Sequence, residues 1–165
     1  MILTEPTIQA RFGRALRRRA LTVFLAEAAA AARLSGEVSV WLTTDAEIRR
    51  LNRQFRRHDQ ATDVLSFPAP GSFARQPPVA GDLAISVETA ERQALEAGHP
   101  LFVEVEVLLL HGILHLAGYD HDADTGQMAR KEVALRRRFG LDAGLIERSA
   151  AARPRAGHRR RSAQA

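Results

Sequence analysis

No cysteine occurs in the chain, so neither a disulfide framework nor a thiolate metal site is available to it. The absence agrees with a reducing compartment without requiring one. Lysine is nearly absent as well: of the 24 basic residues only Lys131 is a lysine, and the rest are arginines. Long apolar runs are also missing. The longest are the five alanines from Ala28 to Ala32 and the four residues from Val107 to Leu110, both far too short to span a bilayer. The opening residues, MILTEPTIQARFGR, hold no apolar stretch of secretory length, so no signal peptide is expected. Together these absences predict a cytoplasmic protein with no membrane partner.

The 165 residues that are present suit one domain, and the 45% hydrophobic content is enough for a buried core. The net charge of +5 is unevenly spread. Residues 1–33 carry six arginines against Glu5 and Glu27, and residues 151–165 carry five arginines and no acid. The stretch between them has 13 basic and 17 acidic residues, so the body is mildly acidic and its ends are basic. Basic ends suit an anionic partner such as RNA; they equally suit a solvated helix face and a solvated tail.

Periodicity and punctuation give the elements. Ala15 to Leu34 reads as a helix closed by Gly36, and Glu37 to Thr43 alternates as a strand. Thr44 or Asp45 caps a helix reaching about Phe55, with Ile48, Leu51 and Phe55 on one face. Val64 to Phe67 and Gly81 to Val87 read as strands flanking a proline-rich surface loop. Glu88 to Ala97 is helical. Pro100 opens a second helix that Gly118 stops, and Asp124 to Phe139 forms the last. A strand within Ile2 to Gln9 would be interrupted by Pro6. The expectation is a single α+β domain over residues 1–150, with about four strands in a small mixed sheet and about five helices. Residues 151–165 read as a disordered basic tail. Strand order is left open.

Three of the six histidines fall within eleven residues, His111-Gly-Ile-Leu-His115-Leu-Ala-Gly-Tyr-Asp-His121. Residues four apart share a helix face, so His111 and His115 can aim ring nitrogens at one point. Gly118 lets the backbone leave the helix through a left-handed conformation and return His121 to that point. The alternative is three ordinarily packed histidines, but unpartnered imidazoles in so apolar a helix (VEVLLLHGILHL) are costly to bury. Three histidines leave one coordination position open, the pattern of a catalytic site for one divalent ion. Zinc suits this donor set best, with nickel, copper and iron compatible. Asp120 and Asp122 flank His121, and either could accept an imidazole N–H or serve as a turn residue. Tyr119, Asp63 and Asp82 read as packing or loop-capping residues.

The spacing H-x-x-x-H-x-x-G-x-x-H is that of metzincin peptidases, whose general base follows the first histidine. Here that position is Gly112, which argues against peptide hydrolysis. The same block, HGILHLAGYDH, resembles the signature of the YbeY-type endoribonucleases. Leu51-Asn52 with Phe55-Arg56, the run Thr62 to Pro68 (TDVLSFP) and Gly81 to Ile85 (GDLAI) also resemble segments of that family, in order, over residues 37–140. Phe55 stands where the family usually has tyrosine, and Ala61 where it usually has proline. The resemblance implies a metal-dependent endoribonuclease specific for single strands. It implies action in 3′-end maturation of small-subunit rRNA and in ribosome quality control, with the small ribosomal subunit as partner and no DNA substrate. His111, His115 and His121 would be the metal ligands and Arg56 the functional arginine. A metzincin-like peptidase and a non-catalytic ribosome-binding factor with a structural metal are the alternatives.

Overall fold

Strand β2 (Glu37–Thr43) alternates as its sequence demands: Val38, Val40 and Leu42 are buried on one face, while Ser39 and Trp41 point to the other. In the computed structural model, which describes residues 1–69, 79–121 and 123–141, β2 lies inside a four-stranded sheet. The spatial order is β1 (Ile2–Thr4), β2, β4 (Val79–Ser86), β3 (Val64–Pro68). β1 and β4 run parallel to β2, and β3 runs antiparallel to β4. The sheet is therefore mixed, with β1 and β3 as its edges.

Six helices occur among the described residues, one more than periodicity gives. The addition is α1 (Pro6–Phe12). Pro6, read as an interruption of a strand, opens a helix whose first turn is capped by the Glu5 carboxylate, which accepts N–H bonds from Thr7 and Ile8. α2 (Arg18–Ala31) is shorter at both ends than expected: Arg17 at its N-cap is left-handed (φ 47°), and so is Arg33 (φ 57°) just past its C-cap Ala32. α3 (Asp45–Arg56) starts at its Thr44 cap. α4 (Val87–Ala97) and α5 (Leu101–Leu116) follow as the sequence indicates. α6 (Gln127–Phe139) begins three residues later than Asp124. Asp124 lies just ahead of it, with its carboxylate accepting the N–H groups of Gly126 and Met128.

The main core lies between the sheet and helices α2 and α5, built on Leu21, Leu42, Ile85, Leu108, Leu109 and Ile113, none more than 0% exposed. α5 is buried along most of its length, which explains why its sequence is apolar on every side. Gly112 lets it approach the sheet: a Cβ there would lie 2.8 Å from Leu83 Cδ2 and 3.4 Å from Ser66 Oγ. α3 packs on the other face through a small second cluster of Ile48, Leu65 and Ala84. No single helix among the described residues is long and apolar enough to cross a membrane. Of the stretch Pro68 to Ala80, read as a surface loop, Pro68 belongs to β3 and Val79 and Ala80 to β4, and residues 70–78 lie outside the described residues, as do Asp122 and residues 142–165.

Candidate metal centre

α5 carries His111 and His115 one turn apart near its C-terminal end. Their Nε2 atoms are 3.1 Å apart. The helix ends at Leu116, and Gly118 takes a positive φ of 91°. Tyr119 donates its N–H back to the Leu114 carbonyl, so the chain folds over the helix end. That reversal places the His121 ring 5.5 Å from the His111 ring and 5.3 Å from the His115 ring. One ligand atom from each of the three lies within 4.8 Å of the others.

The donors fit a small divalent ion. Four-coordinate zinc with nitrogen at about 2.0–2.1 Å needs ligand atoms roughly 3.3 Å apart, close to the spacing already set by His111 and His115. Two imidazole nitrogens that close are mutually repulsive as bare acceptors, and a shared cation removes the conflict. Protonation states agree. Burial, then the charges of His111 and His121, push the His115 pKa down to about 4, with Arg56 adding to the effect and Asp120 opposing it. His115 is thus neutral at neutral pH, the form that ligates.

Glu132 of α6 supplies the supporting carboxylate. Its Oε1 lies 3.2 Å from His111 Nδ1, and both side chains are buried. Accepting the Nδ1 proton leaves the Nε2 lone pair facing the cleft. The sequence offers Asp120 and Asp122 as imidazole acceptors or, by preference, as turn residues. Asp120 lines the cleft and is exposed, and its backbone carbonyl accepts N–H bonds from Ala123 and Asp124 in the turn. The signal for Glu132 was present but faint: an acid four residues after Met128 and three before Leu135, on the buried stripe of α6. Glu132→Gln removes the charge and keeps the shape. It is expected to weaken zinc binding roughly 10- to 100-fold, measured by competition with a chromogenic chelator. Unchanged affinity would reduce Glu132 to a packing residue.

The histidines open into a cleft of about 680 Å³. Its far wall is β3, whose alternation turns Val64, Ser66 and Pro68 toward the histidines and Leu65 and Phe67 toward α3. Arg56, the last residue of α3, reaches this cleft and donates from Nη2 to the Ser66 carbonyl at 3.0 Å. Arg57 beside it is left-handed (φ 58°) and ends the helix. Asp63 serves the loop: it accepts the Val64 N–H at 2.8 Å and a Gln93 side-chain N–H at 3.0 Å. Asp82 is exposed and lines a groove on the other face. Tyr119 both packs against the core and lines the cleft.

The family model described as Endoribonuclease YbeY matches residues 4–140. Among similar curated proteins, the Endoribonuclease YbeY of Koribacter versatilis is 48% identical over 131 residues, covering 79% of this chain and 83% of that one. The protein of the same name from Solibacter usitatus is 54% identical over 107 residues, covering 65% and 69%. A solution structure from Thermotoga maritima superposes with a TM-score of 0.56 at 30% identity, covering 96% of this chain and all of that one. With this match over most of its length and the histidine block in place, the chain belongs to the YbeY endoribonuclease family.

Proposed function

We propose that this chain is a single-strand-specific, zinc-dependent endoribonuclease in which His111, His115 and His121 hold one ion and Arg56 grips the substrate phosphate. The observation that carries the proposal is the convergence of three imidazoles and one arginine on a single cleft. A bound divalent ion would supply a Lewis acid for a phosphodiester oxygen and would acidify water at the site. The protein's own groups do the rest. Glu132 fixes the His111 tautomer, and burial keeps His115 unprotonated. The Ser66 carbonyl orients the Arg56 guanidinium, whose remaining donors can meet a phosphate. An open cleft of this kind admits a single strand, whose backbone and bases are both exposed.

On this reading the physiological substrate is the 3′ region of small-subunit rRNA. The protein works in the cytoplasm with the small ribosomal subunit, in rRNA maturation and ribosome quality control. Residues 1–150 form the catalytic domain and 151–165 a basic tail. The peptidase alternative meets a steric objection besides a chemical one: the Cβ of residue 112 would point at Leu83 and Ser66 under the sheet. A carboxylate general base has no room there.

Metal analysis paired with a cleavage assay on single-stranded RNA tests the proposal. About one zinc per chain is expected, with activity lost on chelation and restored by zinc. Full cleavage by metal-free protein would reject it. A chain that unfolds on chelation, yet cleaves nothing when loaded, would indicate a structural metal instead.

A further inference from the structure

The two faces of the sheet are covered unequally. α2 and α5 cover one, while on the other α3 packs over Leu65, Ala84 and Phe67. Beside α3 this leaves a groove of about 480 Å³ lined chiefly by Leu3, Trp41, Leu51, Phe55 and Phe67. Leu3 is 49% exposed and Phe55 60%, large values for apolar side chains. The rings of Phe55 and Phe67 meet edge to face, with centroids 5.4 Å apart.

This groove and the histidine cleft share their walls. On β3, Ser66 and Pro68 face the cleft, while Phe67 between them faces the groove. On α3, Arg56 lines the cleft and Phe55 before it lines the groove. A single strand whose phosphate lies at Arg56 therefore meets the aromatic groove just beyond β3, which is an edge of the sheet. α3 also carries a run of arginines, on faces other than the one that Leu51 and Phe55 turn to the groove. Arg49, Arg50, Arg53, Arg56 and the capping Arg57 fall within nine residues. Arg49 pairs with Asp59 and Arg50 with Glu47, while Arg53 and Arg57 stand exposed beside them. Exposed aromatic faces beside an arginine that can meet a phosphate suit single-stranded nucleic acid, with a base stacked and the adjoining phosphate neutralised. Asp82, which also lines the groove, would repel a phosphate but could accept an N–H from the exocyclic amine of adenine, guanine or cytosine.

We propose that this groove is a base-stacking subsite for the nucleotide next to the phosphate held at Arg56. The proposal rests on the placement of the substrate phosphate argued above. Its discriminating probe is built in, because Trp41 is the sole tryptophan of the chain and lines the groove.

The experiment uses the full-length His115→Ala protein, which is not expected to cut, titrated with a single-stranded RNA decamer. Fluorescence of Trp41 reports the groove, and anisotropy of an end-labelled decamer reports binding. Quenching of Trp41 that saturates together with the anisotropy is expected. Phe55→Ala should weaken binding by roughly 5- to 150-fold, the range for loss of one stacked base. Phe55→Trp, which keeps an aromatic face, should restore affinity. Phe55 is exposed enough for both variants to fold. RNA bound at wild-type affinity by Phe55→Ala, with Trp41 unmoved in the parent titration, overturns the subsite and leaves the groove to a protein partner. Wild-type cleavage alongside that result confines the failure to the subsite. Absence of both binding and cleavage in wild-type protein overturns the endoribonuclease reading as well.

Discussion

His115→Ala is expected to abolish RNA cleavage while the fold survives. His115 is half-buried near the C-terminal end of α5 and lines the cleft, so its loss opens little of the core. The metal centre fares differently. His111 and His121 alone form a two-donor site, and two imidazoles hold a divalent ion far more weakly than three. The loss in activity should exceed the roughly 10- to 100-fold typical of removing a supporting hydrogen bond. Cleavage at the wild-type rate by carefully purified variant would place the activity elsewhere. A second readout does not depend on activity. In the metal-free protein His115 is held neutral down to about pH 4. Between its ordinary pKa near 6.5 and that value, the unfolded chain takes up a proton that the folded chain refuses. Folding stability contributed by the neutral ring is present above pH 6.5 and is lost as the pH falls toward 4. The metal-free alanine variant should lose less stability over that interval than metal-free wild type, as followed by thermal unfolding.

The parts of the fold that were legible in the sequence are those whose determinants are local. α5 announced itself through Pro100, an apolar run and Gly118, and the bend at Gly118 is left-handed as its role required. The convergence of His111, His115 and His121 follows from the same local facts. α1 was missed because Pro6 can end a strand or begin a helix, and only the Glu5 cap decides between them. Strand order was illegible because parallel pairing joins residues far apart, such as Ile2 with Val40 and Val40 with Leu83. Glu132 was missed for a related reason. An acid on a helix is usually solvated, and nothing local shows that α6 turns this one into His111 across 21 residues of chain. The aromatic groove draws on β1, β2, α3, β3 and β4, so it exists only once the sheet is assembled.

Arg56 separates charge from geometry, and two substitutions read them apart. If Arg56 stabilises charge developing on the phosphate, Arg56→Ala should lower kcat by about 10²- to 10³-fold, the usual cost of losing one such donor. Arg56→Lys keeps the positive charge but loses the planar fork that donates two parallel bonds. The structure adds a further cost for lysine. Nη2 of Arg56 is anchored on the Ser66 carbonyl at 3.0 Å, and the same guanidinium lines the cleft. A single ammonium cannot fill both roles from one point. Arg56→Lys should therefore recover RNA affinity, which depends on charge, more than it recovers kcat, which depends on orientation. Binding is measured in the cleavage-deficient His115→Ala background and kcat with native His115, each at fixed salt. Equal recovery of both quantities would make Arg56 a simple phosphate anchor. Wild-type kcat in Arg56→Ala would remove it from the reaction altogether, leaving its bond to Ser66 as a brace between α3 and β3.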